Sequence, residues 1–159
     1  MIFYSINEVL EMAIQIEKNG YQFYSQSKEK TKDEKLQNLF DFLATEELKH
    51  METFNGIKDR LKTTPYKLPY DWEEAKLYLK AITDSYFFTG KDKVISLMEK
   101  VQNAEELINL ALAFEKETLL FYYEILNLVA EEEKPEVVRL INEEKSHIKK
   151  LEKIKGEIK

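Results

Sequence analysis

The chain has two histidines, His50 and His147, and each follows a glutamate by three residues: Glu47-Leu48-Lys49-His50 and Glu144-Lys145-Ser146-His147. On a helix, positions i and i+3 lie one turn apart on the same face. Each Glu-x-x-His therefore offers an oxygen and a nitrogen to one point in space. Both pairs interrupt stripes that are otherwise apolar: Phe40, Leu43, Glu47, Phe54, and Val137, Leu140, Glu144, Ile148, Leu151. Such helical spacing marks an inward face. Two further stripes are broken in the same way, Leu10, Ala13, Ile14, Glu17, Tyr21, Tyr24 and Ile108, Ala111, Leu112, Glu115, Leu119, Tyr122.

Burying one unpaired carboxylate costs several kcal/mol, on the order of the effective desolvation penalty of an ion. Glu17, Glu47, Glu115 and Glu144 would stand at one level of the core, with no Lys or Arg in their stripes. Two divalent cations neutralise four carboxylates, and two neutral imidazoles complete a ligand set. A single glutamate on an apolar face is more often an edge residue whose head reaches water, and a lone core histidine more often a satisfied structural one. The joint pattern resists that reading, because six groups fall in two matched halves and use both histidines.

The spacing predicts four long helices, at about 6–30, 33–61, 104–131 and 135–155, with a crossover at about 62–103. Ser5-Ile6-Asn7-Glu8 is a capping box, with Tyr4 and Val9 placed to form its hydrophobic staple. Thr31-Lys32-Asp33-Glu34, Asp71-Trp72-Glu73-Glu74 and Asn103-Ala104-Glu105-Glu106 repeat the capping logic. Pro65 and Pro69 end the second helix, Pro135 opens the fourth, and the crossover is weakly helical. The Tyr66–Trp72 stretch reads most simply as packing of the crossover over the bundle.

The two halves repeat. Ala13, Glu17, Phe23 and Tyr24 match Ala111, Glu115, Phe121 and Tyr122, an offset of 98 residues, and Glu47 and Glu144 are 97 apart. Two helix pairs with the same motifs, joined by one long crossover between the second and third helices, make a four-helix bundle.

Composition agrees. With 159 residues the expectation is a single domain spanning 1–159, and four glycines, three prolines and 34% charged residues favour helices. A net charge of −6 with interspersed lysines and glutamates argues against nucleic acid and against an anionic membrane as partners. The absence of cysteine excludes disulfides and thiolate-held iron–sulfur clusters. No signal-peptide pattern and no run approaching the roughly 20 apolar residues of a membrane span are present, so the expected location is cytoplasmic.

On Glu17, Glu47-x-x-His50, Glu115 and Glu144-x-x-His147 the chain resembles the ferritin-like di-iron carboxylate superfamily, and within it the rubrerythrin type. The resemblance implies an all-α, ferritin-like four-helix bundle binding two iron ions, or two manganese, without haem or an iron–sulfur cluster. It implies Glu47 and Glu144 as bridging carboxylates, with Glu17 and His50 on one metal and Glu115 and His147 on the other. Tyr24 and Tyr122 are candidates for hydrogen bonds to a ligand carboxylate, although core packing is the simpler reading of both. Glu46 and Glu143 adjoin the ligands but point about 100° away on a helix of 3.6 residues per turn, so a surface position or an outer contact is expected.

Two departures stand out. Rubrerythrins usually add a rubredoxin-like iron site with four cysteines; here electrons would come from a separate donor. They also place a glutamate three residues after the third-helix ligand, where this chain has Thr118, with Glu117 one position off on the wrong face. The implied function is an oxidoreductase reducing hydrogen peroxide or dioxygen, acting as a homodimer. A ferroxidase or iron-storage protein is the alternative, favoured by a symmetric site lacking that glutamate. A metal-free helical interaction module is a third.

Overall fold

The structure, a computed structural model, describes residues 5–63, 71–84 and 91–158. Tyr4, Pro65, Pro69 and the 66–70 part of the aromatic stretch lie outside them. The described residues form six α-helices and one short 3-10 turn, with no strands among them.

Helix α1 (Ile6–Lys30) starts at Ser5, whose hydroxyl accepts from the Glu8 amide at 3.3 Å. Helix α2 (Glu34–Leu61) is capped by Asp33 rather than Thr31: the Asp33 carboxylate accepts from the Leu36 amide at 3.1 Å. Thr31 instead closes the end of α1, and its hydroxyl accepts from the Asp33 amide at 3.2 Å. The short link leaves α1 and α2 packed side by side.

The crossover holds two helices, α3 (Trp72–Thr83) and α4 (Lys91–Lys100), the first capped by Asp71. Ala75, Leu79 and Ile82 are the buried apolar residues of α3, which packs on the third long helix, while Val94 and Met98 of α4 are buried where it lies against α1. Lys30 pins this arrangement by donating to the Met98 carbonyl. The described part of the crossover is thus two helices, each held by an apolar face that it buries.

Helix α5 (Ala104–Leu128) begins at Asn103, which accepts from the Glu106 amide at 2.9 Å; Glu106 reaches back to the Gln102 amide at 2.8 Å. It ends three residues earlier than expected, where Val129 turns extended. Glu131–Glu133 form a 3-10 turn, and α6 (Lys134–Glu157) follows with Pro135 in its first turn.

The four long helices bury two apolar clusters, one around Phe54, Phe121, Tyr122 and Leu140, the other around Tyr24, Phe40, Leu43 and Leu151. Glu17, Glu47 and Glu144 fall between the two in sequence along their helices, and Glu115 directly follows Phe114 of the first cluster. The expected α1 stripe is rotated slightly: Tyr21 is 38% exposed and Gly20 takes the inner place. No described helix is long and apolar enough to cross a membrane.

Arg60 near the end of α2 ties down the α5–α6 turn. It donates to both oxygens of Glu133, from Nε at 2.9 Å and from Nη2 at 2.7 Å, and also to Glu136 at 3.0 Å. Glu133 is 7% exposed. Arg60→Ala would strand a nearly buried carboxylate, and thermal unfolding should show a loss of about 1–3 kcal/mol.

Candidate metal centre

Each of the six sequence-derived groups is at most 1% exposed: Glu17 on α1, Glu47 and His50 on α2, Glu115 on α5, Glu144 and His147 on α6. The structure brings all six together. They sort into two overlapping groups whose donor atoms lie within 4.8 Å of one another: Glu17, Glu47, His50, Glu144, and Glu47, Glu115, Glu144, His147. Glu47 and Glu144 belong to both.

Both imidazoles turn Nδ1 inward. His50 Nδ1 lies 2.8 Å from Glu144 Oε1, 3.4 Å from Glu17 and 3.5 Å from Glu47. His147 Nδ1 lies 3.1 Å from Glu144 Oε2 and 3.6 Å from Glu115. Glu144 thus extends one oxygen toward each histidine. The two rings stack with centroids 5.5 Å apart and planes 17° from parallel.

The electrostatics are those of a cluster short of positive charge. Burial pushes the Glu17, Glu47 and Glu115 carboxyls up, and for Glu47 and Glu115 the neighbouring carboxylates push further. Burial also pushes Glu144 up, but its contacts with Glu115, His147 and His50 override this and hold it below the usual carboxylate range. Burial draws both histidines down, yet the surrounding carboxylates win: His50 is raised well above its ordinary value and His147 is pushed up to about 10. Protons occupy positions that cations would otherwise fill.

The donor set fits a metal pair. Both oxygens of Glu17, and Glu47 Oε1 and Glu115 Oε2, are buried with no hydrogen bond among the described residues, while Glu144 Oε1 and His50 Nδ1 face each other at 2.8 Å. Buried polar atoms are ordinarily paired, so this many orphans pointing into one space mark a site for a ligand. Oxygen donors with two imidazoles suit iron or manganese.

Tyr24 donates its hydroxyl to Glu115 Oε1. Burial first, then Glu115, push the phenol well above its ordinary value, so it stays a donor. Tyr122 is also fully buried, but its hydroxyl has no hydrogen-bond partner among the described residues. Thr118 is buried with no hydrogen bond to its hydroxyl among the described residues, and Glu117 is half-buried. Glu143 reaches the site from outside, its Oε2 lying 3.0 Å from His50 Nε2.

Sequence reasoning missed Gly20. A Cβ there would stand 3.0 Å from the Phe114 ring and 3.1 Å from Glu47 Cδ. A mid-helix glycine costs roughly 0.5–1 kcal/mol against alanine, and this one lies three residues after Glu17, which was the available signal. Its lack of a side chain lets Glu47 sit against α1.

Two outcomes follow for solution work. Gly20→Ala gains up to about 1 kcal/mol of helix propensity but crowds Glu47, so divalent-cation affinity should fall while the metal-free melting temperature changes little; calorimetric titration and thermal melts separate the two. Metal uptake must also displace protons from the raised carboxyls and imidazoles, so loading in weak buffer should release protons, measurable by pH-stat.

A crystal structure of a candidate ferritin-like diiron-carboxylate protein from Thermotoga maritima is similar to this chain over its full length. The match has a TM-score of 0.71 and 25% identity, and covers 100% of this chain and 99% of the other. No curated protein matches. The family model Rubrerythrin matches residues 8–155. With a ferritin-like helical bundle around a buried glutamate–histidine cluster able to bind metal, the chain belongs to the rubrerythrin family.

Proposed function

We propose that this protein is a non-haem di-iron oxidoreductase that reduces hydrogen peroxide or dioxygen, with manganese as the alternative metal. The observation that carries the reading is the pair of four-member donor groups sharing Glu47 and Glu144. In this reading Glu47 and Glu144 bridge the two ions, Glu17 and His50 close one end, and Glu115 and His147 close the other. Two bound iron ions would supply reversible one-electron chemistry and open positions for a small oxidant.

The surrounding residues do the rest. Phe40, Phe54 and Phe114 are at most 1% exposed, and the packing around the cluster excludes bulk water and suits a small oxidant better than a bulky organic substrate. Tyr24 fixes the orientation of Glu115 through its hydroxyl. The protein's 159 residues include no cysteine, and electrons are taken to come from a separate donor. A homodimer is the proposed assembly.

A second reading, oxidation of ferrous iron for storage or detoxification, draws on Thr118, whose buried hydroxyl stands where rubrerythrins carry a further glutamate. It differs in predicting a multimeric shell and more than two irons per chain.

Protein purified without chelator should carry about two irons per chain, the sum of the two donor groups, and should turn over peroxide with a supplied reductant. Glu144→Ala should lose most of the metal and the turnover together, and its metal-free form should melt lower, since His50 and His147 both lose the carboxylate nearest their Nδ1 atoms. Chelation of the wild type should lower its stability, by about 2.7 kcal/mol relative to metal at a hundredfold excess over Kd. Full iron binding and turnover in Glu144→Ala would sink the assignment. Size-exclusion chromatography with an iron assay separates the storage reading.

A further inference from the structure

The repeat in the sequence suggests two equal halves, and both histidines turn Nδ1 to the carboxylates, but their outer surroundings differ. His50 directs Nδ1 to the carboxylates and Nε2 outward, 3.0 Å from Glu143 Oε2, where with a metal on Nδ1 the Nε2–H would donate to that carboxylate. Glu143 is itself held: its other oxygen accepts from Arg139 Nη1 at 3.0 Å, and Arg139 Nη2 donates to Thr53 on α2 at 3.2 Å. An imidazole, a carboxylate and a guanidinium thus run in line from the cluster to the surface.

The residue equivalent to Glu143 by the 97-residue offset is Glu46. Its carboxylate lies within 4.8 Å of a nitrogen on each histidine. Its Oε1 accepts from Lys49 Nζ at 2.6 Å. The cause is local sequence: Lys49 stands where the other half has Ser146, and Phe42 where it has Arg139. The Phe42 ring meets the His147 ring edge-on, centroids 6.2 Å apart at 87°. His147 is flanked by an aromatic edge, His50 by an anchored carboxylate.

The terminal carboxylates also differ: Tyr24 engages Glu115 Oε1, whereas no hydroxyl among the described residues engages Glu17. A histidine that shares its far N–H with a carboxylate is the more basic ligand, and loss of such a partner typically costs 10–100-fold in metal affinity.

We propose that the two metal positions are inequivalent, that the one at Glu17 and His50 takes the first divalent cation, and that Glu143 is the positioning residue that makes it the tighter site. This rests on the metal-binding reading above. The half at Glu115 and His147 fills second, because among the described residues no carboxylate stands at hydrogen-bond distance from the far nitrogen of its imidazole.

The test is anaerobic titration of the metal-free full chain with cobalt(II), followed by visible absorbance and calorimetry. Two steps are expected, separated by about tenfold or more. Glu143→Gln keeps an acceptor but removes the charge, and should weaken the first step alone by about 10–100-fold, with the total still two. Arg139→Gln, on the surface, should weaken the same step less. Tyr24→Phe removes the hydroxyl that orients Glu115 and should weaken the second step alone, widening the gap. A single transition with two equal ions, or an equal effect of Glu143→Gln on both steps, or no effect on either, overturns the proposal while leaving the metal site intact. No cobalt uptake at all overturns the metal-binding reading itself.

Discussion

Four carboxylates in a dry core repel one another, and the rest of this molecule is arranged around making that tolerable. Their cost, several kcal/mol for each unpaired charge on the usual scale of ion desolvation, cannot be met by apolar packing, which only lowers the local dielectric further. It is met by two inward-facing Nδ1 atoms and by protons held above the ordinary carboxyl range. The same arrangement is what makes the cluster able to bind metal. A cation replaces both the protons and the missing charge, so folding and metal binding draw on one free energy.

Holding that layer requires rigid surroundings. Apolar clusters flank it along the helices, and the straps α3 and α4 cover α5 and α1. Gly20 is the point where packing and site meet directly. By giving up a side chain in mid-helix, the chain lets Glu47 and Phe114 close against α1. The equivalent position in the second half is Thr118, which brings a buried hydroxyl instead.

A duplicated motif does not make a symmetric environment. Within each half the carboxylates and histidines recur with fixed spacing, yet the outer contacts depend on residues that the repeat does not preserve. Arg139 against Phe42, and Ser146 against Lys49, are enough to give His50 a carboxylate partner and His147 an aromatic one. The functional consequence is a difference between the two ends of one cluster.

Much of this was readable along the chain. The inward face of each long helix, the four interrupting glutamates and the two Glu-x-x-His pairs follow from a 3.6-residue period, which is a local property. So do the caps at Ser5, Asp71 and Asn103, where a side chain satisfies an amide three residues on. What periodicity could not reach were matters of contact between elements. The inner place of Gly20 rather than Tyr21 depends on how α1 meets Phe114. The end of α5 at Leu128 depends on a turn held by Arg60 from another helix. The engagement of Tyr24 but not Tyr122, and of Glu143 but not Glu46, depends on distances across the bundle. Spacing along one helix says which residues share a face; only packing says what each of them meets.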